Sequence, residues 1–127
     1  MVWQLDDKLW FPNPRWGEDN GLVAIGGDLS TERLLLAYSK GFFPWYAYHV
    51  AKEPHWYCPL RRYVIFPQEI HVSHSMRTLM NKRRYRGSFN RDFEGVIRGC
   101  SESEGRIQHE YAWLGPDMIA AYMPLTM

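Results

Sequence analysis

Between Asn20 and Tyr46 the chain is punctuated so closely that few backbone paths remain open to it. Leu22-Val23-Ala24-Ile25 is a short apolar run bracketed by Gly21 and Gly26-Gly27, the pattern of a buried extended segment ending in a tight turn. Gly26 and Gly27 suit backbone angles that other residues resist, and Asp28 is placed to organise the loop. Ser30 is a natural N-cap, Glu32 lies near the positive helix end and Gly41 follows Lys40, so a helix is expected over Thr31 to Lys40. Leu34, Leu35, Ala37 and Tyr38 give that helix a broad apolar face. Pro44 disfavours helix at Phe43 and lacks a donor, so Phe42 to Tyr46 must leave as an aromatic loop. A strand, a turn, a helix and a loop in this order point to the α/β (α+β) class.

Elsewhere the signals are weaker. The first 20 residues are rich in turn formers, with Phe11-Pro12-Asn13-Pro14 followed by Gly17 to Gly21, and little regular structure is expected there. Trp3, Trp10, Phe11 and Trp16 would pack that lead-in. Residues 47–60, holding Pro54, Trp56 and Pro59, read as irregular, and a module boundary is expected near their end. Tyr63-Val64-Ile65-Phe66 reads as a strand stopped by Pro67. Ser73 can cap a helix reaching about Lys82, Tyr85 to Phe89 is a weaker strand, and Asn90 can cap a helix carrying Phe93, Val96, Ile97 and Cys100. Residues 101–110 read as a polar loop. Pro116 at the first helical position opens a last helix through Met118, Ile119 and Tyr122 that Pro124 stops.

Composition narrows the class of function. With 46% hydrophobic residues over 127 positions, the chain can bury a core, and wholly disordered and membrane-spanning readings fall away because no apolar run approaches ~20 residues. The N-terminus lacks a signal-peptide pattern, and Cys58 and Cys100 read as two reduced thiols, so a cytoplasmic location is expected. Net charge is only +1, but its distribution is uneven. Residues 1–60 carry 5 basic and 7 acidic side chains, residues 61–91 carry 8 and 1, and residues 92–127 carry 2 and 6. A basic central stretch in a near-neutral chain is what a phosphate-contacting surface looks like.

Three features bear on chemistry. The glycines of Asn20 to Asp28 fit neither a dinucleotide fingerprint nor a P-loop, so a tight turn is the better reading. The aromatic planes of Tyr38, Phe42, Phe43, Trp45 and Tyr46 can stack on a base or enclose an apolar side chain; Phe42 and Phe43 read as core, whereas Trp45, following rigid Pro44, stays open between pocket and core. Trp113 is open in the same way. On a helix from Ser73, Arg77 and Asn81 share a face, Met76, Leu79 and Met80 form the expected buried face, and Lys82, Arg83 and Arg84 crowd the end. Helix-dipole complementarity accounts for part of that run, but basic residues with no acid among them repel until an anion arrives, which favours a nucleic-acid backbone. His71 and His74 have metal-compatible spacing without a third ligand nearby, so no metal is expected.

Residues Asn20 to Tyr46, NGLVAIGGDLSTERLLLAYSKGFFPWY, closely resemble the signature of the bacterial leucyl/phenylalanyl-tRNA-protein transferases. Looser matches continue through Trp56, Pro59 to Arg62, His71 to Arg77, Phe93 to Cys100 and Trp113 to Tyr122. The resemblance implies transfer of Leu or Phe from aminoacyl-tRNA to proteins with N-terminal Arg or Lys, marking them for the N-degron pathway, with no cofactor. It implies a small N-terminal domain over 1–59 and the start of an acetyltransferase-like (GNAT) domain over 60–127. It also implies that Trp45 and Trp113, with Tyr38 as a weaker third, line the aminoacyl-adenosine pocket. Arg77, Lys82, Arg83 and Arg84 would contact the tRNA. The family's downstream G-E-S-M-F-S and D-C-Q motifs have no counterpart in these 127 residues. The expectation is therefore a chain that is inactive alone, with self-association through residues 60–127. A non-catalytic tRNA- or RNA-binding module is the alternative.

Overall fold

The glycine-bracketed run forms the middle of the fold. The computed structural model describes residues 1–46, 48–103 and 112–126. Leu22–Gly26 is strand β2, flanked by β1 (Trp3–Leu5) in parallel and by β4 (His55–Tyr57) antiparallel, with the two-residue β3 (Phe43–Pro44) antiparallel to β4. The sheet order is therefore β1-β2-β4-β3, a small mixed sheet. Both β1 and β4 fall where the sequence reads as irregular. Each has only three residues and is held by pairing across the sheet, a non-local term that no local pattern reports.

Helix α1 (Thr31–Ser39) begins as the sequence predicts, with the Ser30 side chain accepting a hydrogen bond from Arg33 N. The turn before it is held by more than glycine. Gly26 and Gly27 have φ of 94° and 73°, and Asp28 Oδ1 accepts from Ser30 N at 3.0 Å and from Arg33 Nε at 3.1 Å. Arg33 is fully buried, and its Nη2 donates to the carbonyls of Asp6 and Lys8 at 2.9 and 3.1 Å, fastening the lead-in to α1. The apolar face of α1 is narrower than expected: Leu34 and Ala37 are buried, while Leu35 and Tyr38 are exposed. The buried side is shared with Leu5, Phe11, Val23, Phe42 and Trp56, which leave it no more room. Phe11 stacks on Phe42 at 4.7 Å and meets Trp56 edge-on at 5.0 Å, and Trp56 Nε1 donates to Gly26 O at 2.9 Å. Thus the one polar atom of the core indole is satisfied.

Two more helices complete this part. Helix α3 (Phe93–Glu102) is capped by Asp92, whose carboxylate accepts from Gly95 N at 2.9 Å. The predicted cap, Asn90, instead takes a left-handed turn with φ of 55°. Helix α4 (Pro116–Tyr122) starts at Pro116 as expected and passes at Met123 into a short 3-10 turn. The polar loop expected over 101–110 lies largely outside the described residues.

The structure divides into two compact units, one of Met1–Leu60 with Asp92–Met127 and one of Arg61–Arg91. The second unit contains helix α2 (His74–Asn81), capped by Ser73, whose side chain accepts from Met76 N. The strands expected at Tyr63–Phe66 and Tyr85–Phe89 are absent there: neither run has a ladder partner, and β-forming side chains alone do not make a strand. No residue of this unit is buried, and the expected inner face of α2, Met76, Leu79 and Met80, is exposed.

Candidate functional site

Trp45 stands where the aromatic loop leaves the sheet. Pro44 is buried and pairs through β3 with Trp56, and Trp45 N donates to His55 O at 2.8 Å, so the backbone is fixed while the indole projects outward, 47% exposed. Trp113 lies just before the start of α4, and its ring stacks on Trp45 with centroids 4.6 Å apart and planes 18° from parallel. The loop after Trp45 is tied to the segment carrying Trp113, since Tyr48 N donates to Ala112 O at 3.3 Å. The structure therefore brings together two residues that lie 68 positions apart in the sequence. At this separation no third ring fits between them, and only their outer faces are left open.

Tyr38, from the exposed side of α1, forms a second aromatic pair. Its hydroxyl makes a short hydrogen bond with that of Tyr122 from α4, and the rings meet edge-on at 6.2 Å. Burial, reinforced by the bond to Tyr38, pushes the Tyr122 phenol well above its ordinary range. Tyr122 meets Tyr38 in the structure, whereas the sequence pattern marks it only as part of the last helix. The available signal was its hydroxyl, which a core position would have to satisfy. Tyr46, also buried, has its phenol raised by desolvation and then by the Asp117 charge.

The basic residues belong to the other unit. Arg77 lies on α2, Lys82 follows its last residue, and Arg83 turns the chain with φ of 49° before Arg84. All four side chains are exposed. Among the described residues no carboxylate pairs with any of them. Arg84 lies 5.9 Å from the centroid of the Tyr85 ring. Four cations on one short stretch without a counter-charge make that stretch strongly positive. Among the described residues no three metal-ligating side chains gather, and His71 and His74 gain no third partner.

Comparison with known proteins identifies relatives over both parts of the chain. The family model described as leucyl/phenylalanyl-tRNA protein transferase matches residues 64–127, and that of the N-terminal domain of the same transferase matches residues 27–60. Among similar proteins named leucyl/phenylalanyl-tRNA–protein transferase, that of Syntrophobacter fumaroxidans is 43% identical over 125 residues, covering 98% of this chain and 52% of its own. The protein of that name from Azotobacter vinelandii is 45% identical over 122 residues, covering 94% and 52%. That of Flavobacterium psychrophilum is 43% identical over 122 residues, covering 95% and 56%. The chain spans about half the length of the curated relatives it matches.

Proposed function

Since the chain belongs to the leucyl/phenylalanyl-tRNA protein transferase family, we propose that it takes part in moving Leu or Phe from aminoacyl-tRNA to the N-terminal Arg or Lys of proteins, in the cytoplasm, as a step of the N-degron pathway. The reaction is an aminolysis. The acceptor's α-amino nitrogen attacks the ester carbonyl, an amide bond forms, the ester C–O bond breaks, and the tRNA's terminal hydroxyl leaves with a proton. No cofactor is needed, because the ester is already activated.

The observation that carries this reading is the stacked Trp45–Trp113 pair. An exposed indole face takes a base or an apolar side chain without reading sequence, and stacking of a base contributes about 1–3 kcal/mol. Tyr38 and Tyr122 supply paired hydroxyls for sugar or phosphate oxygens. Arg77, Lys82, Arg83 and Arg84 contact the tRNA backbone, which positions it without specifying sequence. The domain reading that goes with this function is an N-terminal domain over 1–59 and part of a GNAT-like domain over 60–127. These 127 residues hold no counterpart of the family's D-C-Q motif, so as an isolated polypeptide they bind substrate and do not complete transfer.

A second reading, a non-catalytic tRNA- or RNA-binding module, draws on the exposed cations of Arg61–Arg91. One experiment separates the two: labelled Leu or Phe on charged tRNA is offered with a peptide beginning with Arg, and transfer and tRNA retention on a filter are measured together. Retention that prefers charged over uncharged tRNA is expected under the transferase reading. Equal retention of both, or of any RNA, supports the binding module. No retention overturns both.

A further inference from the structure

Within the unit of Met1–Leu60 and Asp92–Met127, the segment that carries Trp113 is fastened to the loop that carries Trp45 at two points, and one residue supplies both. Tyr48 N donates to Ala112 O at 3.3 Å, and the ring of Tyr48 lies so close to Gly115 that a Cβ there would stand 2.5 Å from the ring carbon Cγ and 2.6 Å from Cδ1. Ala112 and Gly115 flank Trp113, so the two contacts grip the backbone on either side of its indole. Trp45, for its part, is held to the sheet by the bond from its N–H to His55 O.

The backbone of position 115 does not call for glycine. Its φ of −93° and ψ of −179° are extended angles open to any residue, and its carbonyl accepts from Ile119 N at 3.1 Å as at any helix start. What the position excludes is a side chain, because Cγ is the root of the Tyr48 ring and cannot give way without the whole ring moving. A displaced ring has room in the hollow of about 390 Å3 that it borders with Leu114, Ile119 and Met123, so a larger residue at 115 shifts the ring and leaves the fold in place. The consequence falls on the stack. Trp45 and Trp113 lie 4.6 Å apart and 18° from parallel, and dispersion contacts of this kind weaken steeply with small displacements.

We propose that Tyr48 and Gly115 are positioning residues of the aromatic site: the ring of Tyr48, seated on the bare backbone of Gly115, holds Trp113 in register with Trp45. The contact is made by ring carbons, so the phenol hydroxyl is dispensable to it. Its consequence for tRNA binding rests on the transferase reading; its consequence for the stack does not.

The test reads stack and binding separately on the 127-residue chain. Stacked indoles give an exciton couplet in far-UV circular dichroism, and the difference from a Trp113→Phe variant isolates this pair from the contacts of Trp3 with Trp10 and Trp16. Gly115→Ala and Tyr48→Ala are each expected to lose most of the couplet and to bind leucylated tRNA about threefold to tenfold more weakly on filters, a smaller loss than removal of an indole. Tyr48→Phe should match the unaltered chain, and adding Gly115→Ala to Tyr48→Ala should cost nothing further, because the ring it would strike is gone. Urea unfolding verifies that each variant is folded, and the contrast of Tyr48→Ala with Tyr48→Phe gives the answer without touching Gly115. Losses that add in the double variant, a Tyr48→Phe chain that behaves as Tyr48→Ala, or a couplet indifferent to both positions would overturn the proposal. The expected couplets in a chain that retains no leucylated tRNA uphold the contact and remove the transferase reading; retention with a couplet indifferent to Tyr48 and Gly115 leaves that reading and removes the contact.

Discussion

At the scale of single residues, Trp45 and Trp56 show how one residue type takes opposite roles in this chain. Trp56 is fully buried, with its indole N–H bonded to Gly26 O, whereas Trp45 is half exposed and stacked on Trp113. Substitution should separate them. Trp56→Ala is expected to lower stability by about 3–5 kcal/mol in urea unfolding, because it leaves a large cavity among Phe11, Phe42 and β2. Trp45→Ala or Trp113→Ala should leave most of that stability in place and weaken binding of charged tRNA about tenfold or more, read as reduced retention on filters. If Trp45→Ala unfolds the chain as Trp56→Ala does, the outward indole is structural and the site is misassigned. The sequence separated core from surface for Phe42, which is buried, and left Trp45 and Trp113 open because their meeting is set by the tertiary path. Tyr38 and Tyr122 illustrate the same limit, being hydrogen-bonded partners that no spacing rule connects.

At the scale of elements, local chemistry was legible wherever a residue acts on its immediate neighbours. The turn at Gly26-Gly27-Asp28, the Ser30 and Ser73 caps and the Pro116 helix start all act within four residues, and all appear as the sequence indicates. What failed were short strands made by a partner, as at β1 and β4, and strands lacking one, as at Tyr63–Phe66. The Asp28–Arg33 clamp has a measurable pH signature. Burial raises the Asp28 carboxyl, but hydrogen bonds from Ser30 and Arg33, with the guanidinium charge, outweigh it and hold the group below its ordinary value of 3.8. A carboxyl depressed in the folded state contributes stability above its unfolded value, and that contribution is lost as pH falls through the folded one. Thermal stability should therefore drop as pH is taken below about 4. Asp28→Asn should be less stable at neutral pH and flatter across that acid window. An unchanged acid profile in Asp28→Asn would show that other carboxylates govern it.

At the scale of the whole molecule, the uneven charge of the sequence marks the stretch that the structure sets apart as its own unit, Arg61–Arg91. That coincidence is physical. A stretch with 8 basic and 1 acidic side chains and no buried residue gains little by packing, and its charged side chains stay at the surface. Its apolar side chains stay there too: Tyr63, Val64, Ile65 and Phe66 are all exposed, which supports self-association through residues 60–127. Light scattering is expected to report a dimer or larger species, and a monomer stable on heating would contradict it. No helix among the described residues is long and apolar enough to cross a membrane.

The most direct test is the salt dependence of binding to leucylated tRNA by the 127-residue chain, compared with a variant in which Arg77, Lys82, Arg83 and Arg84 are replaced by Ala. For every phosphate that the variant no longer neutralises, the slope of log affinity against log salt should shrink by about 0.7–0.9, while the preference for charged over uncharged tRNA, which the proposal assigns to Trp45 and Trp113, should persist. An unchanged slope, or a preference that disappears together with the cations, would contradict the division between a phosphate grip and an aromatic site.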